Sequence, residues 1–217
     1  MNAATLPLFN PVFQAGMALS LSLIMAIGPQ NVHVIRAGLL RQHVWLTVGI
    51  CIVADVMLIA LGVLGLAQLG GLSDKLQGAM VGAGVLFLLW YGWSAARRCL
   101  NPPARTALAD EPTATPEAPV SRRQAAASAL AFSWLNPHAW LDTAVLIGTA
   151  SLAYGTPGSR VFGLGAALGS VVWFLGLGVA VLWLGRRLNS ALLWRWLDGL
   201  VALMMGGTAV FLLASLF

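Results

Sequence analysis

Apolar residues run through this chain in long unbroken blocks, and the charged residues fall between the blocks. Residues 1 to 35 carry no formal charge, Gln42 to Ser73 carries only Asp55, and Leu76 to Ala96 carries none. Gln124 to Ser159 carries only Asp142, while Val161 to Gly185 and Gly199 to Phe217 carry none. A helix needs about 20 apolar residues to cross the hydrocarbon of a bilayer, and six blocks reach that length. The runs are continuous rather than alternating, which disfavours barrel strands. The pattern predicts an all-α, polytopic membrane protein of six transmembrane helices. They lie near Val12–Ile35, Val44–Leu69, Leu76–Ala96, Ala125–Thr149, Val161–Gly185 and Gly199–Phe217.

Between the third and fourth blocks lies NPPARTALADEPTATPEAP, residues 101–119, rich in Pro, Ala and Thr and poor in large apolar side chains. It reads as a flexible linker. The chain divides into a first three-helix repeat, 1–97, a cytoplasmic linker, 98–123, and a second three-helix repeat, 124–217. An odd number of spans per half forces the halves into opposite orientations, so two inverted repeats are expected. Each half also breaks its first span at a proline: Pro29 within Gly28-Pro29-Gln30-Asn31, and Pro137 within Asn136-Pro137-His138.

Composition agrees with the block pattern: 59% of the 217 residues are hydrophobic and 9% are charged, against about 25% charged in soluble domains. The pI near 10.2 is better explained by topology than by a nucleic-acid partner, and none is expected. Loops after spans 1, 3 and 5 hold Arg36, Arg41, Arg97, Arg98, Arg105, Arg122, Arg123, Arg186, Arg187 and Arg195, whereas the other side holds Lys75 and Arg160. Ten against two predicts both termini outside the cytoplasm. The amino-terminal block lacks a basic n-region and is too long for a signal peptide, so it is read as the first span. Cys51 and Cys99 have no metal-ligand or disulfide spacing and read as inert thiols. Gly78/Gly82 and Gly165/Gly169 are GxxxG pairs, suited to helix packing or to a homodimer. Trp90, Trp93, Trp183, Trp194 and Trp196 lie near span ends, as an interface belt would.

The remaining signal is polar chemistry at depth. A proline removes a backbone donor and clashes with a carbonyl one turn back, and in hydrocarbon the freed groups need partners. Gln30, Asn31, Asn136 and His138 stand at the two breaks to supply them. A broken helix also exposes a positive half-helix end that attracts a carboxylate. Asp55 and Asp142 lie near the middle of their spans, where a charge costs about 2.5–3.5 kcal/mol or more, and no lysine or arginine lies at that depth. Either both are protonated, or the missing cation is a transported solute. Trp134, His138 and Asp142 are spaced i, i+4, i+8, so a carboxylate, a titrating imidazole and a cation–π face share one side if the break keeps register. His33 and His43 lie toward the cytoplasmic face. The candidate substrate-binding residues are therefore Gly28, Gln30, Asn31, Asp55, Asn136, His138 and Asp142. Pro29 and Pro137 are the helix breaks, and Trp134 and Trp140 the candidate cation–π faces.

These readings predict a transporter whose cargo carries a cation and a carboxylate. Export of a neutral amino acid such as threonine or homoserine is the alternative within transport, but an uncharged side chain leaves the two acids without a counter-ion. An intramembrane aspartyl protease would use two carboxylates, yet its Gly-x-Gly-Asp context is absent, since Asp55 follows Ile-Val-Ala and Asp142 follows Ala-Trp-Leu. No phosphate-binding glycine loop with its lysine is present, so no nucleotide cofactor is expected, and no metal. GPQNVHVIRAGL with LRQHV, the acid within CIVADVMLIALG, and LNPHAWLDTAVLIG together resemble the lysine exporter family, in its lysine/arginine-exporting branch. The likeness covers nearly the whole chain. It puts Gly28, Pro29, Gln30, Asn31, Asp55, Asn136, Pro137 and Asp142 on that family's motif positions. His33 stands where the family's pattern has an aromatic or apolar residue, and Trp140 where a tyrosine is common. The resemblance implies a secondary exporter of a basic amino acid, lysine or arginine, across the bacterial inner membrane, driven by the membrane potential or by ion exchange, with a proton or another ion as coupling partner.

Overall fold

The computed structural model describes residues 10–25, 28–66, 74–100, 120–136, 139–184 and 191–214, and all regular structure among them is helical. The elements are α1 (Pro11–Ile24), α2 (Pro29–Leu40), α3 (Val44–Leu61), α4 (Asp74–Leu100), α5 (Arg122–Trp134), α6 (Ile147–Leu152), α7 (Gly155–Leu184) and α8 (Ala191–Ala214). Two π-helical stretches extend them: Gly62–Leu66 continues α3, and Trp140–Leu146 leads into α6. Val44–Gly65 and Gly155–Trp183 are each long and apolar enough to cross a membrane, and α1 with α2, bent by 73°, forms a third crossing if the pair counts as one span. The expected linker segment 101–119 lies outside the described residues. The helices reach into its flanks, because α4 continues through Arg97 and Arg98 to Leu100 and α5 opens at Arg122.

Helix ends follow local chemistry. Asn10 caps α1 by accepting from the Val12 N–H at 2.9 Å, with Pro11 at the first helical position, where its missing donor costs nothing. Ser121 accepts from the Gln124 N–H at 3.2 Å and caps α5 in the same way. Arg97 and Arg98 stand in the last turn of α4, where a cation suits the helix dipole. Arg41 ends α2 in the left-handed region and His43 opens α3 in it, making a tight corner between the two helices.

Three buried clusters tie the bundle together. Val32, Leu88, Phe132 and Met205 join α2, α4, α5 and α8. Val34, Val48, Phe174 and Val181 join α2, α3 and α7, and Ile59, Ile147, Phe162 and Ala166 join the far end of α3 to α6 and α7. Outward-facing Leu86, Trp90, Leu164, Trp196 and Leu203 are exposed apolar side chains of the kind that face lipid. Inside a bilayer the tails are as apolar as leucine, so helices associate through close packing rather than through burial. The most extensive contacts are α1 with α7 and α4 with α8. At the first, glycine permits the approach: a Cβ at Gly16 would fall on the Phe162 carbonyl oxygen, and one at Gly165 on the Phe13 carbonyl oxygen. The Gly165/Gly169 pair thus meets α1 of the same chain. Gly82 faces open space, and Gly78 lies outside the described side chains.

Replacing Gly165 by leucine is therefore expected to separate α1 from α7. A loss of about 1–3 kcal/mol or more is expected from this overpacking, read as a lower midpoint of thermal unfolding in detergent. Gly82→Ala is the matched control and should leave that midpoint unchanged or raise it.

Candidate functional site

The first break is built around GPQN. Gly28 is extended (φ −104°, ψ 178°) and Pro29 occupies the first position of α2, so the chain turns and restarts helix at a residue that has no backbone donor to satisfy. The last carbonyls of α1 have lost their partners, and Asn31 reaches back to one of them: its Nδ2 donates to the Ile24 carbonyl at 2.7 Å. Its Oδ1 accepts from the Trp173 indole N–H at 3.0 Å, which fastens the break to α7. Asn31 thus holds the two half-helices and a third helix in register.

The second break shows the same device with different residues. α5 ends at Trp134, and Leu135 and Asn136 are not helical. The buried Asn136 offers its carbonyl to the N–H groups of Ala139 (3.1 Å) and Trp140 (3.4 Å), starting the next helical stretch. Trp140 Nε1 donates back to the Trp134 carbonyl at 3.0 Å, and the two indoles meet edge to face with centroids 5.5 Å apart. The two tryptophans expected as cation–π faces are here a pair that staples the break. Pro137 and His138 lie outside the described residues.

Between the breaks stands Asp55, on α3, with 2% of its surface exposed. Its Oδ1 accepts from Gln30 Nε2 at 3.1 Å and its Oδ2 from Ser170 Oγ at 3.1 Å. The same Gln30 nitrogen also donates to Ser133 Oγ at 3.2 Å, and Ser133 in turn donates to the Ala129 carbonyl at 2.9 Å. Four helices thereby converge on one carboxylate: α3 carries it, α2 and α7 donate to it, and α5 is linked through Gln30. All of these donors are neutral. The ion pairs among the described residues lie elsewhere, Arg36 Nη1 and Arg98 Nε both meeting Asp198 Oδ1, at 3.1 and 3.0 Å. Asp142 is half-buried in the π-helical stretch Trp140–Leu146, which packs along α3. π-Helical turns recur at functional sites because one extra residue per turn re-aims a side chain.

Of the residues expected in the site, Gln30 and Asp55 are bonded to each other, and Asn31 and Asn136 hold the breaks that flank them. Ser133, Ser170, Trp173 and the Arg36–Asp198–Arg98 cluster were not anticipated. A lone serine in an apolar helix is ordinarily satisfied by a carbonyl one turn back, so its sequence carries no mark of a distant partner. His33 stacks on Phe132, with ring centroids 4.5 Å apart and planes 25° from parallel, which accounts for a histidine at a position suited to an aromatic ring.

Residues 21–216 match the family model described as LysE type translocator. The arginine exporter protein ArgO of Serratia proteamaculans is 38% identical over 200 residues, covering 92% of this chain and 94% of that protein. The lysine exporter LysE of Corynebacterium efficiens is 34% identical over 222 residues, covering 92% and 96%. That of Corynebacterium glutamicum is 30% identical over 225 residues, covering 92% and 97%. No solved structure matches the chain. A match over almost the full length leads to a single conclusion: this chain belongs to the LysE type translocator family.

Proposed function

We propose that this protein is a secondary exporter of basic amino acids, lysine or arginine, in the inner membrane of a bacterium, and that Asp55 receives the cationic end of the cargo. The observation that carries the reading is the setting of Asp55, a buried carboxylate met on both oxygens by neutral donors. An ionised carboxylate in that setting is several kcal/mol less stable than in water unless a charge joins it. A guanidinium or ammonium group supplies that charge, and a proton supplies it when no cargo is bound. The names and close similarity of the arginine and lysine exporters support the same substrate class.

Alternation of cargo and proton on one carboxylate also meets an energetic demand. Moving a cation outward against an inside-negative potential costs roughly 2.3 kcal/mol per charge per 100 mV. A proton returning on the vacated Asp55 cancels the charge moved. Gln30 touches both Asp55 and Ser133, so exchange at Asp55 is felt on α5, beside the second break.

The proposed architecture is six spans in two inverted repeats, 1–97 and 124–217. The pattern of packing supports it. Exchanging span 1 with 4, 2 with 5 and 3 with 6 turns the α1–α7 contact into that of α3 with α5, and maps the α3–α7 and α4–α8 contacts onto themselves. Ten basic residues on one side against two on the other support an arginine-rich cytoplasmic end and external termini.

In proteoliposomes loaded with labelled arginine or lysine, Asp55→Asn is expected to lower transport at least about tenfold, the loss that follows when ~1.4 kcal/mol or more of charge attraction disappears. Asp142→Asn is expected to act in the same direction. Asparagine keeps the size of the side chain but carries no charge, so wild-type rates in Asp55→Asn would mean that the acid is structural. A neutral amino acid exported in place of lysine and arginine would shift the assignment to the neutral branch. Topology is read separately: a reporter fused after Phe217 should be active outside the cytoplasm and one placed within 101–119 inside it. A cytoplasmic carboxy terminus would overturn the six-span reading.

A further inference from the structure

A polar cavity, apart from Asp55, opens at the arginine-rich end of the bundle. It measures about 220 Å³, and His33, Arg36, Thr47, Arg98, Gln124 and Ser128 contribute to its wall. This is below the ~300 Å³ at which drug-sized ligand sites begin, and so suits an occupant the size of an amino acid. Four polar atoms of its wall are sealed from solvent and have no hydrogen-bond partner among the described residues: Nδ1 and Nε2 of His33, Oγ1 of Thr47 and Nη2 of Arg98. Buried polar groups are nearly always paired. These four atoms belong to residues of α2, α3 and α4 that surround one cavity, so an occupant that these side chains turn to meet would satisfy them.

The chemistry of the wall selects that occupant. Arg36 and Arg98 share one oxygen of Asp198, at 3.1 and 3.0 Å, and the cationic Arg98 keeps its Nη2 without a hydrogen-bond partner among the described residues. Arg98 Nη2 is a donor, the Thr47 hydroxyl donates readily, and a neutral His33 ring donates from one nitrogen. Stacking on Phe132 holds that ring in orientation. Charge and donors together fit a carboxylate, and they repel an amine.

Spacing then relates the cavity to Asp55. His33 lies three residues from Gln30 on α2, about 4.5 Å of helix rise, and Thr47 lies eight residues from Asp55 on α3, about 12 Å. The carboxylate and the cationic end of an extended lysine or arginine lie roughly 6–8 Å apart, between those two values. Resting on the export reading above, we infer that this cavity docks the α-carboxylate of the basic amino acid as it enters from the arginine-rich side, pointing its cationic end at Asp55. Thr47 and His33 are then substrate-binding residues, and the polarity of the wall makes the carrier select amino acids over the corresponding amines.

The test compares labelled arginine with agmatine, which is arginine without its carboxylate, in equilibrium binding to the purified full-length protein. His33→Phe keeps the stack on Phe132, and Thr47→Val keeps the side-chain shape. Each is expected to weaken arginine binding about tenfold or more, the effect of one lost hydrogen bond to a charged group, and to leave agmatine binding unchanged. The preference for arginine over agmatine shrinks accordingly. Equal losses for both ligands, or no change for either in both variants, overturn the inference and leave a cavity that holds only water. A parallel Asp55→Asn sample separates the two levels of argument. If it loses both ligands while His33→Phe and Thr47→Val lose neither, export through Asp55 stands and only the carboxylate dock fails. If the wild type binds neither arginine nor lysine, the export reading fails and takes the dock with it.

Discussion

A carboxylate with 2% of its surface exposed, inside a bundle of apolar helices, dictates much of what surrounds it. Asp55 needs a donor on each oxygen, and these come from helices far apart in sequence, Gln30 on α2 and Ser170 on α7. Gln30 reaches Asp55 because α2 restarts at Pro29, which sets Gln30 in its first turn. The same nitrogen holds Ser133, so the carboxylate, the first break and the helix that leads to the second break form one hydrogen-bonded unit. Every donor in that unit is neutral, so the carboxylate meets no cation among the described residues.

Breaking a helix in hydrocarbon is tolerable only if the carbonyls it strands are met. Here each break is met from its own far side: Asn31 returns to the Ile24 carbonyl and Trp140 to the Trp134 carbonyl. One break uses a small amide and the other a large indole, yet the backbone demand satisfied is the same. The π-helical stretches Gly62–Leu66 and Trp140–Leu146 pack against one another, and a Cβ at Gly62 would fall on the Ala144 carbonyl oxygen. Such close approach suits a membrane bundle, where packing replaces the hydrophobic drive.

Charge is managed differently at the arginine-rich end. Asp198 joins α8 to Arg36 of α2 and Arg98 of α4, with Arg98 also lying over the Tyr91 ring at 5.7 Å. One acid meets two cations and ties three helices together beside the cavity lined by His33 and Thr47. The charged groups thus meet one another at this end, whereas Asp55 is met by neutral donors.

Much of this was legible along the chain. Uninterrupted apolar blocks declare membrane helices because no other solvent accepts them, and Asp55 and Gln30 stand out because a charge and an amide in hydrocarbon need a reason. The breaks announced themselves through Pro29 and through the Asn136 that precedes Pro137, since proline cannot donate and helices end before it. What the tertiary structure alone decided was the identity of the partners. Ser133, Ser170 and Trp173 look like ordinary residues of apolar helices, and a serine can always turn to its own helix. Only packing of α2, α3, α5 and α7 brings residues 30, 55, 133 and 170 within 3.2 Å steps of one another. Likewise, two arginines and an aspartate at positions 36, 98 and 198 read as loop charges until three helix ends meet. Hydrophobicity is a property of each residue and is written in the order of the chain, whereas a hydrogen bond belongs to a pair and is decided by where the fold puts both members.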